Sequence, residues 1–256
     1  MTEEELFYIW FHQLNGIGCK KKRMLLEHFL TPQNIFFSSG EEWFQLDEIT
    51  KNNVEAFLCG RDLTRSRKIA DDCERLNIRI MTNQDKNYPI LARNNPDCPI
   101  VLYYKGNPKC DFDGTAIVGA RRCTGEGKKM AVDITKKLVE HGTSIISGMA
   151  KGIDSYALTQ CVIDQGYAVA VLVNGLDICY PSEHSKLKEA IEKTGLLLSE
   201  YPPGTPPRRY SFPKRNRIIA ACAKEIYVLE PGRNSGSLIT ARYGEEYGKK
   251  VYRPQL

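Results

Sequence analysis

Between Tyr201 and Arg217 the chain carries no acidic residue, yet it places Arg208, Arg209, Lys214, Arg215 and Arg217 there, interleaved with Tyr210 and Phe212. Cations meet phosphates and aromatic rings stack on bases, so this mixture suits a flexible polyanion. A solvated basic loop closing a domain fits the same window equally well when it is taken alone. A second set of residues shifts that balance. Apolar runs end in Val118-Gly119-Ala120-Arg121-Arg122, in Ser147-Gly148-Met149-Ala150-Lys151-Gly152-Ile153-Asp154, in Asn174-Gly175-Leu176-Asp177 and in the stretch from Pro231 to Gly236-Ser237. Glycine lets a backbone approach a ligand closely, and the amides that open a helix bind anions. Arg121 can fork onto a phosphate, and Ser147, Ser235 and Ser237 offer hydroxyl donors.

Other chemistries lack their residues. Gly119 is followed by Ala120, Arg121 and Arg122, so the dinucleotide spacing GxGxxG is missing there, and no Walker A pattern occurs. Asp154 beside a helix start reads as a partner for backbone amides, and Asp177 as a turn residue. No Ser/His/Asp set or paired acids with a base appears. The four histidines show no HExxH pattern, and the nine cysteines never fall as CxxC. These patterns predict no catalysis, cofactor or metal, and reduced thiols in a cytoplasm.

The elements that position these residues follow from periodicity. Residues 3–75 read as helical, with Asn15-Gly16-Ile17-Gly18-Cys19-Lys20 as a tight turn between two helices. That turn, followed by Lys21, Lys22 and Arg23, resembles a helix-hairpin-helix able to hold a phosphate at a helix start, or else a plain packing turn. Residues 76–113 form a bridge with strand candidates at Ile78–Met81 and Ile100–Tyr104, and an extended piece from Tyr88-Pro89. From Thr115 onward, near-continuous apolar runs alternate with amphipathic segments, the mark of a parallel sheet covered on both faces. The expected fold is α/β: an extended, Rossmann-like, doubly wound and mainly parallel sheet over 77–256, preceded by a small all-helical domain over 1–76. In such sheets ligands bind beyond the carboxyl ends of the strands, which gathers all the glycine-bearing ends into one expected crevice. With 256 residues, 42% hydrophobic and 26% charged, a net charge of +5, no signal-peptide pattern and no long apolar run, a soluble protein is expected.

The segments VGAR, SGMAKGID, VLVNGLDICYP, LLSEYPPGTPP, FPKRNRIIA and EPGRNSGSLITA, in this order, resemble the DprA/Smf family of DNA-processing proteins over about residues 78–256. The helical N-terminus resembles that family's SAM-like domain. The resemblance implies an extended Rossmann fold that binds single-stranded DNA, forms homodimers and loads RecA recombinase onto incoming strands in natural transformation, with no established catalytic activity. Carried over by position, Arg121 holds the arginine of the family's first turn. Ser147, Gly148, Ala150 and Gly152 stand in its SGxAxGID loop, Phe212, Arg215, Asn216 and Arg217 in its FPxRNR segment, and Gly236 with Ser237 in its SGSL turn. With Gly119, Lys151, Gly175 and Lys214 these are the expected DNA-binding residues.

Ala120 stands where the family usually has serine, Leu158 for a frequent histidine and His184 for a frequent asparagine. The chain stops at Leu256, so the winged-helix tail of some members is expected to be absent. A competing reading is a nucleotide phosphoribohydrolase of the LOG type, whose PGGxGTxxE signature resembles Pro231–Thr240. Thr240 stands where its glutamate belongs, which removes the candidate general acid/base.

Overall fold

The computed structural model describes residues 1–109, 111–112, 114–233 and 235–254. The chain opens with α1 (Glu3–Gln13), α2 (Cys19–Phe29), α3 (Pro32–Phe37), α4 (Gly40–Phe44), α5 (Lys51–Cys59) and α6 (Thr64–Arg75). Thr2 and Glu5 close a capping box around three acidic residues in the first turn of α1. The helix then buries Phe7, Tyr8, Ile9, Trp10 and Phe11 in succession, so it is apolar on all sides and must be enclosed. Other helices cover part of it. The rest faces β1 (Arg79–Thr82) and, beyond the single turn α7 (Ile90–Arg93), β2 (Val101–Gly106). Tyr8, Ile9 and Phe11 share one apolar cluster with Ile80 and Tyr103. The expected extended piece after Pro89 is therefore a helical turn: proline removes no needed donor just ahead of a helix start.

The regular part runs β3 (Gly114–Gly119), α8 (Gly125–Glu140), β4 (Ser144–Ser147), α9 (Ile153–Ile163), β5 (Ala168–Leu172), α10 (Ser185–Thr194), β6 (Leu196–Ser199), α11 (Ser211–Cys222), β7 (Glu225–Leu229), α12 (Gly236–Glu246) and β8 (Lys250–Tyr252). The described residues form one eight-stranded sheet in the order β1-β2-β6-β5-β4-β3-β7-β8. From β6 to β8 every neighbouring pair is parallel, while β2 runs antiparallel to both β6 and β1. Side-chain alternation sends Ile117 and Ile145 into the layer beneath α8 and α9. Ala116, Val118 and Ile146 enter the opposite layer, beneath α11 and α12. Burial on both faces explains why β3 to β6 read as unbroken apolar runs.

The chain winds outward from β3 in both directions, through β4, β5 and β6 on one side and through β7 and β8 on the other. The reversal between β3 and β7 is the switch point at which doubly wound sheets form a ligand crevice. Among the described residues no helix is long and apolar enough to cross a membrane.

Candidate nucleic-acid interface

A cleft of about 400 Å³ opens at this switch point, lined by Gly119 at the end of β3 and Arg121 beyond it, Ala150 after β4, Asp154 in the first turn of α9, Phe212, Arg215 and Asn216 of α11, and Gly236 and Ser237 of α12. Two neighbouring hollows share Arg121 with it. One adds Gly148, Lys151, Tyr180 and Pro181, the other Arg122, Gly152 and Tyr156. Most of the residues expected from the strand ends therefore meet along one edge of the sheet.

At the mouth, the exposed Arg121 guanidinium lies 4.9 Å from the centroid of the half-buried Phe212 ring. Phe212 in turn meets Tyr180 edge-on at 6.0 Å. A cation held over an aromatic face keeps its donors pointing outward while the ring screens one side from water. Lys151, also exposed, pairs with Glu183 at 2.5 Å. Ser235 caps α12 through a bond from Ser237 N, which places that helix start on the rim.

Beneath the mouth lies a buried scaffold. Arg215 is 4% exposed; its Nη1 donates to Val171 O at 2.6 Å and its Nε to Asn216 Oδ1 at 3.1 Å. Asn216 Nδ2 donates to Gly236 O at 2.9 Å, so this pair ties β5 to the start of α12. Gly148 crosses the guanidinium so closely that a Cβ there would fall 1.8 Å from Nη1. Asp154 Oδ2 accepts from Gly148 N at 3.2 Å. Burial pushes the Asp154 carboxyl upward against the pull of the Arg215 charge, and pushes Arg215 down to about 10 against the pull of Asp154. Gly152, with φ +79°, approaches the backbone of Ala120 and Arg121 so tightly that a Cβ would stand 2.2 Å from Ala120 O.

Five expected contacts lie elsewhere. Ser147 is fully buried and donates to Ile117 O at 2.6 Å, because the last residue of an inner strand still points into the sheet's packing. Gly175 is buried in a loop held by Asp177, which accepts from Gly204 N at 3.0 Å. Lys214 and Arg217 project from the far side of α11 toward the N-terminal hairpin. Arg217 pairs there with Glu200, and although burial opposes its charge, that carboxylate raises its pKa overall. Lys22, expected beside a phosphate, instead donates to His12 O at 2.5 Å and Leu14 O at 3.0 Å, closing the end of α1.

Two residues near the crevice escaped the sequence. Tyr180 joins the site through its ring contact with Phe212, which no local spacing signals. Glu230, at φ +46° after β7, accepts from Thr124 N at 2.8 Å and from Thr124 Oγ1, placing a carboxylate of the chain at the start of α8.

The sequence model of the DNA recombination-mediator protein A family matches residues 79–255, which includes every part of this crevice. The chain belongs to that family. Among relatives, the protein Smf of Synechocystis is 33% identical over 98% of this chain and 64% of its own. The DNA processing protein DprA of Streptococcus pneumoniae is 39% identical over 66% of this chain and 60% of its own. The chain thus spans about three fifths of the length of these curated relatives. The X-ray structure of the Streptococcus pneumoniae protein superposes with a TM-score of 0.81 at 30% identity, covering 98% of this chain and 86% of that one. DNA processing protein A from Helicobacter pylori, whose structure is described as having a unique single-stranded DNA binding mode, matches with a TM-score of 0.63 at 29% identity. That match covers 70% of this chain and 81% of the other.

Proposed function

We propose that this chain binds single-stranded DNA without sequence preference in the switch-point crevice, carries out no reaction on it, and presents it to a RecA-type recombinase in the cytoplasm. The observation that carries this reading is the Arg121–Phe212 pair at the mouth of a glycine-bordered cleft. The guanidinium meets a phosphate, the ring faces of Phe212 and Tyr180 accept bases of any identity, and the glycine-rich edges let a sugar-phosphate chain approach the backbone. The single-stranded DNA binding described for the Helicobacter pylori relative agrees with it. Presentation to RecA and assembly as a homodimer are inferred from family membership.

The phosphoribohydrolase reading finds little support. Thr240, in place of the required glutamate, is buried in the cleft wall. Asp154 is the carboxylate lining the cleft, and it is buried and engaged with Gly148 N. A general acid/base must reach the atom it protonates, and this one faces the scaffold.

Arg121→Ala should weaken oligo-dT binding about tenfold and make its salt dependence shallower by about 0.7 in the log–log slope, the share of one phosphate contact on a single strand. Fluorescence anisotropy across salt measures both, and an unaltered Kd and slope would remove the crevice from consideration. Recombinase presentation predicts faster RecA filament assembly on single strands in the presence of this protein, measured by strand-dependent ATP hydrolysis.

A further inference from the structure

A second groove, of about 870 Å³, lies on the opposite flank of α11 between that helix and the hairpin of residues 15–18. Its lining includes Lys20, Lys21, Arg65, Tyr210, Lys214 and Arg217. The acids there are Glu48, Asp97 and Glu200. Asp97 pairs with Lys20 at 3.5 Å and Glu200 with Arg217. Lys21, Arg65 and Lys214 form no ion pair among the described residues, so the groove keeps a positive excess. The hairpin adds the start of the eleven-residue helix α2, whose N-cap Gly18 brings no side-chain cap and whose first turn holds no acid. On the groove floor, the buried Arg217 Nη1 has no hydrogen-bond partner.

Helical phase joins the two grooves. On α11, Phe212, Arg215 and Asn216 follow the i, i+3, i+4 spacing of one face and line the crevice. Tyr210, Lys214 and Arg217, spaced i, i+4, i+7, line the hairpin groove. The start of α11, with its N-cap Tyr210 and Lys214 exposed, is the ridge between them.

We infer that the hairpin groove is a second contact for the phosphodiester backbone of the same single strand, holding the segment that leaves the crevice across the first turn of α11. The inference rests on the crevice reading above and extends it to a longer strand. Lys21 and Lys214 meet phosphates, the uncapped start of α2 offers amides to another, and Tyr210 supplies a stacking face on the ridge.

The test compares dT6, short enough for the crevice alone, with dT20, across salt, using the whole chain. The Lys21→Gln/Lys214→Gln double variant alters two side chains at the groove surface and keeps a donor toward Asn53, which Lys21 contacts at 2.9 Å. Its dT6 affinity should stay within about twofold, while dT20 binding weakens at least about fivefold and its salt slope becomes shallower by about 1.4, two contacts at about 0.7 each. An unchanged dT20 affinity and slope overturns the second contact, as does an equal loss for both oligonucleotides. Arg121→Ala, run alongside, leaves dT6 binding unaltered if the crevice reading itself is wrong and weakens it if that reading holds, which separates the two failures. A photoreactive 5-iodouracil placed along dT20 should cross-link Tyr210 from an internal position, and no cross-link at any position counts against the path.

Discussion

Replacing Arg215 by methionine separates a scaffold from a ligand contact. The side chain is 4% exposed and spends its donors on Val171 O and Asn216 Oδ1. Methionine fills much of the same volume but removes those bonds and strips the buried Asp154 carboxylate of the positive charge that opposes its protonation. Losing a buried, hydrogen-bonded guanidinium and leaving Asp154 buried without its nearby counter-charge costs roughly 3–5 kcal/mol, the scale of a broken buried ion pair. For a chain of this length each kcal/mol lowers Tm by about 2–4 °C, so a fall of roughly 6–20 °C is expected. Circular-dichroism melting reads the loss, with DNA binding measured well below the lower Tm. Asp154→Asn in the Arg215→Met background should recover part of the stability, because it removes the stranded charge. Arg121→Ala, at an exposed site, should melt within about 2 °C of the parent while losing DNA affinity. If Arg215→Met melts normally and loses as much affinity as Arg121→Ala, then Arg215 touches the strand and the scaffold assignment is wrong.

Gly152→Ala should lower both Tm and DNA affinity: the position has φ +79° and a Cβ would press on Ala120 O, a backbone strain of about 1–3 kcal/mol that also shifts Arg121. Thermal melting and an oligo-dT titration on the same sample check it. Phe212→Leu should weaken single-strand binding by about 1–3 kcal/mol through loss of the stacking face, with the change visible in Kd and little change in Tm. Acid should destabilise the fold through His12, which burial, together with Lys22 and Arg217, pushes down to about 4 from 6.5, against the pull of Glu200. The unfolded chain takes up this proton below pH 6.5 while the folded one refuses it until about 4. Stability therefore falls as pH drops through that window, by about 2–3 kcal/mol between pH 7 and 4.5. Urea unfolding of the parent and of His12→Gln at both pH values should show that much less acid sensitivity in the variant.

The alternating architecture from residue 115 onward was legible because strands buried on both faces must be apolar throughout, and helices between parallel strands must be amphipathic. The reversed direction of β2 was not, since an apolar run carries no sign of which way it points. The crevice was legible from the glycine-bearing strand ends because parallel strands bring their carboxyl ends to one edge. Arg215 and Arg217 show where that reasoning stops. Two positions apart on a helix they lie about 200° apart, so one is locked under Gly148 and the other faces the hairpin, although in the sequence they belong to one basic stretch. Ser147 was misplaced for a related reason: the last residue of an inner strand still belongs to the sheet. Glu230 and Thr124 meet across 106 positions of chain, a distance over which spacing carries no information.

That meeting sets a negative charge of the chain's own at the start of α8. The start of the first crossover helix is where dinucleotide-using members of this architecture seat a pyrophosphate, and here the Glu230 carboxylate occupies it from within. A free nucleotide arriving there finds like charge in place of an amide cradle. A polymer, gripped at many points along its length, needs no such seat. If the crevice binds strands as proposed, the abundant nucleotide pool of a cell is thereby a poor competitor, and long strands keep their place even when they are scarce.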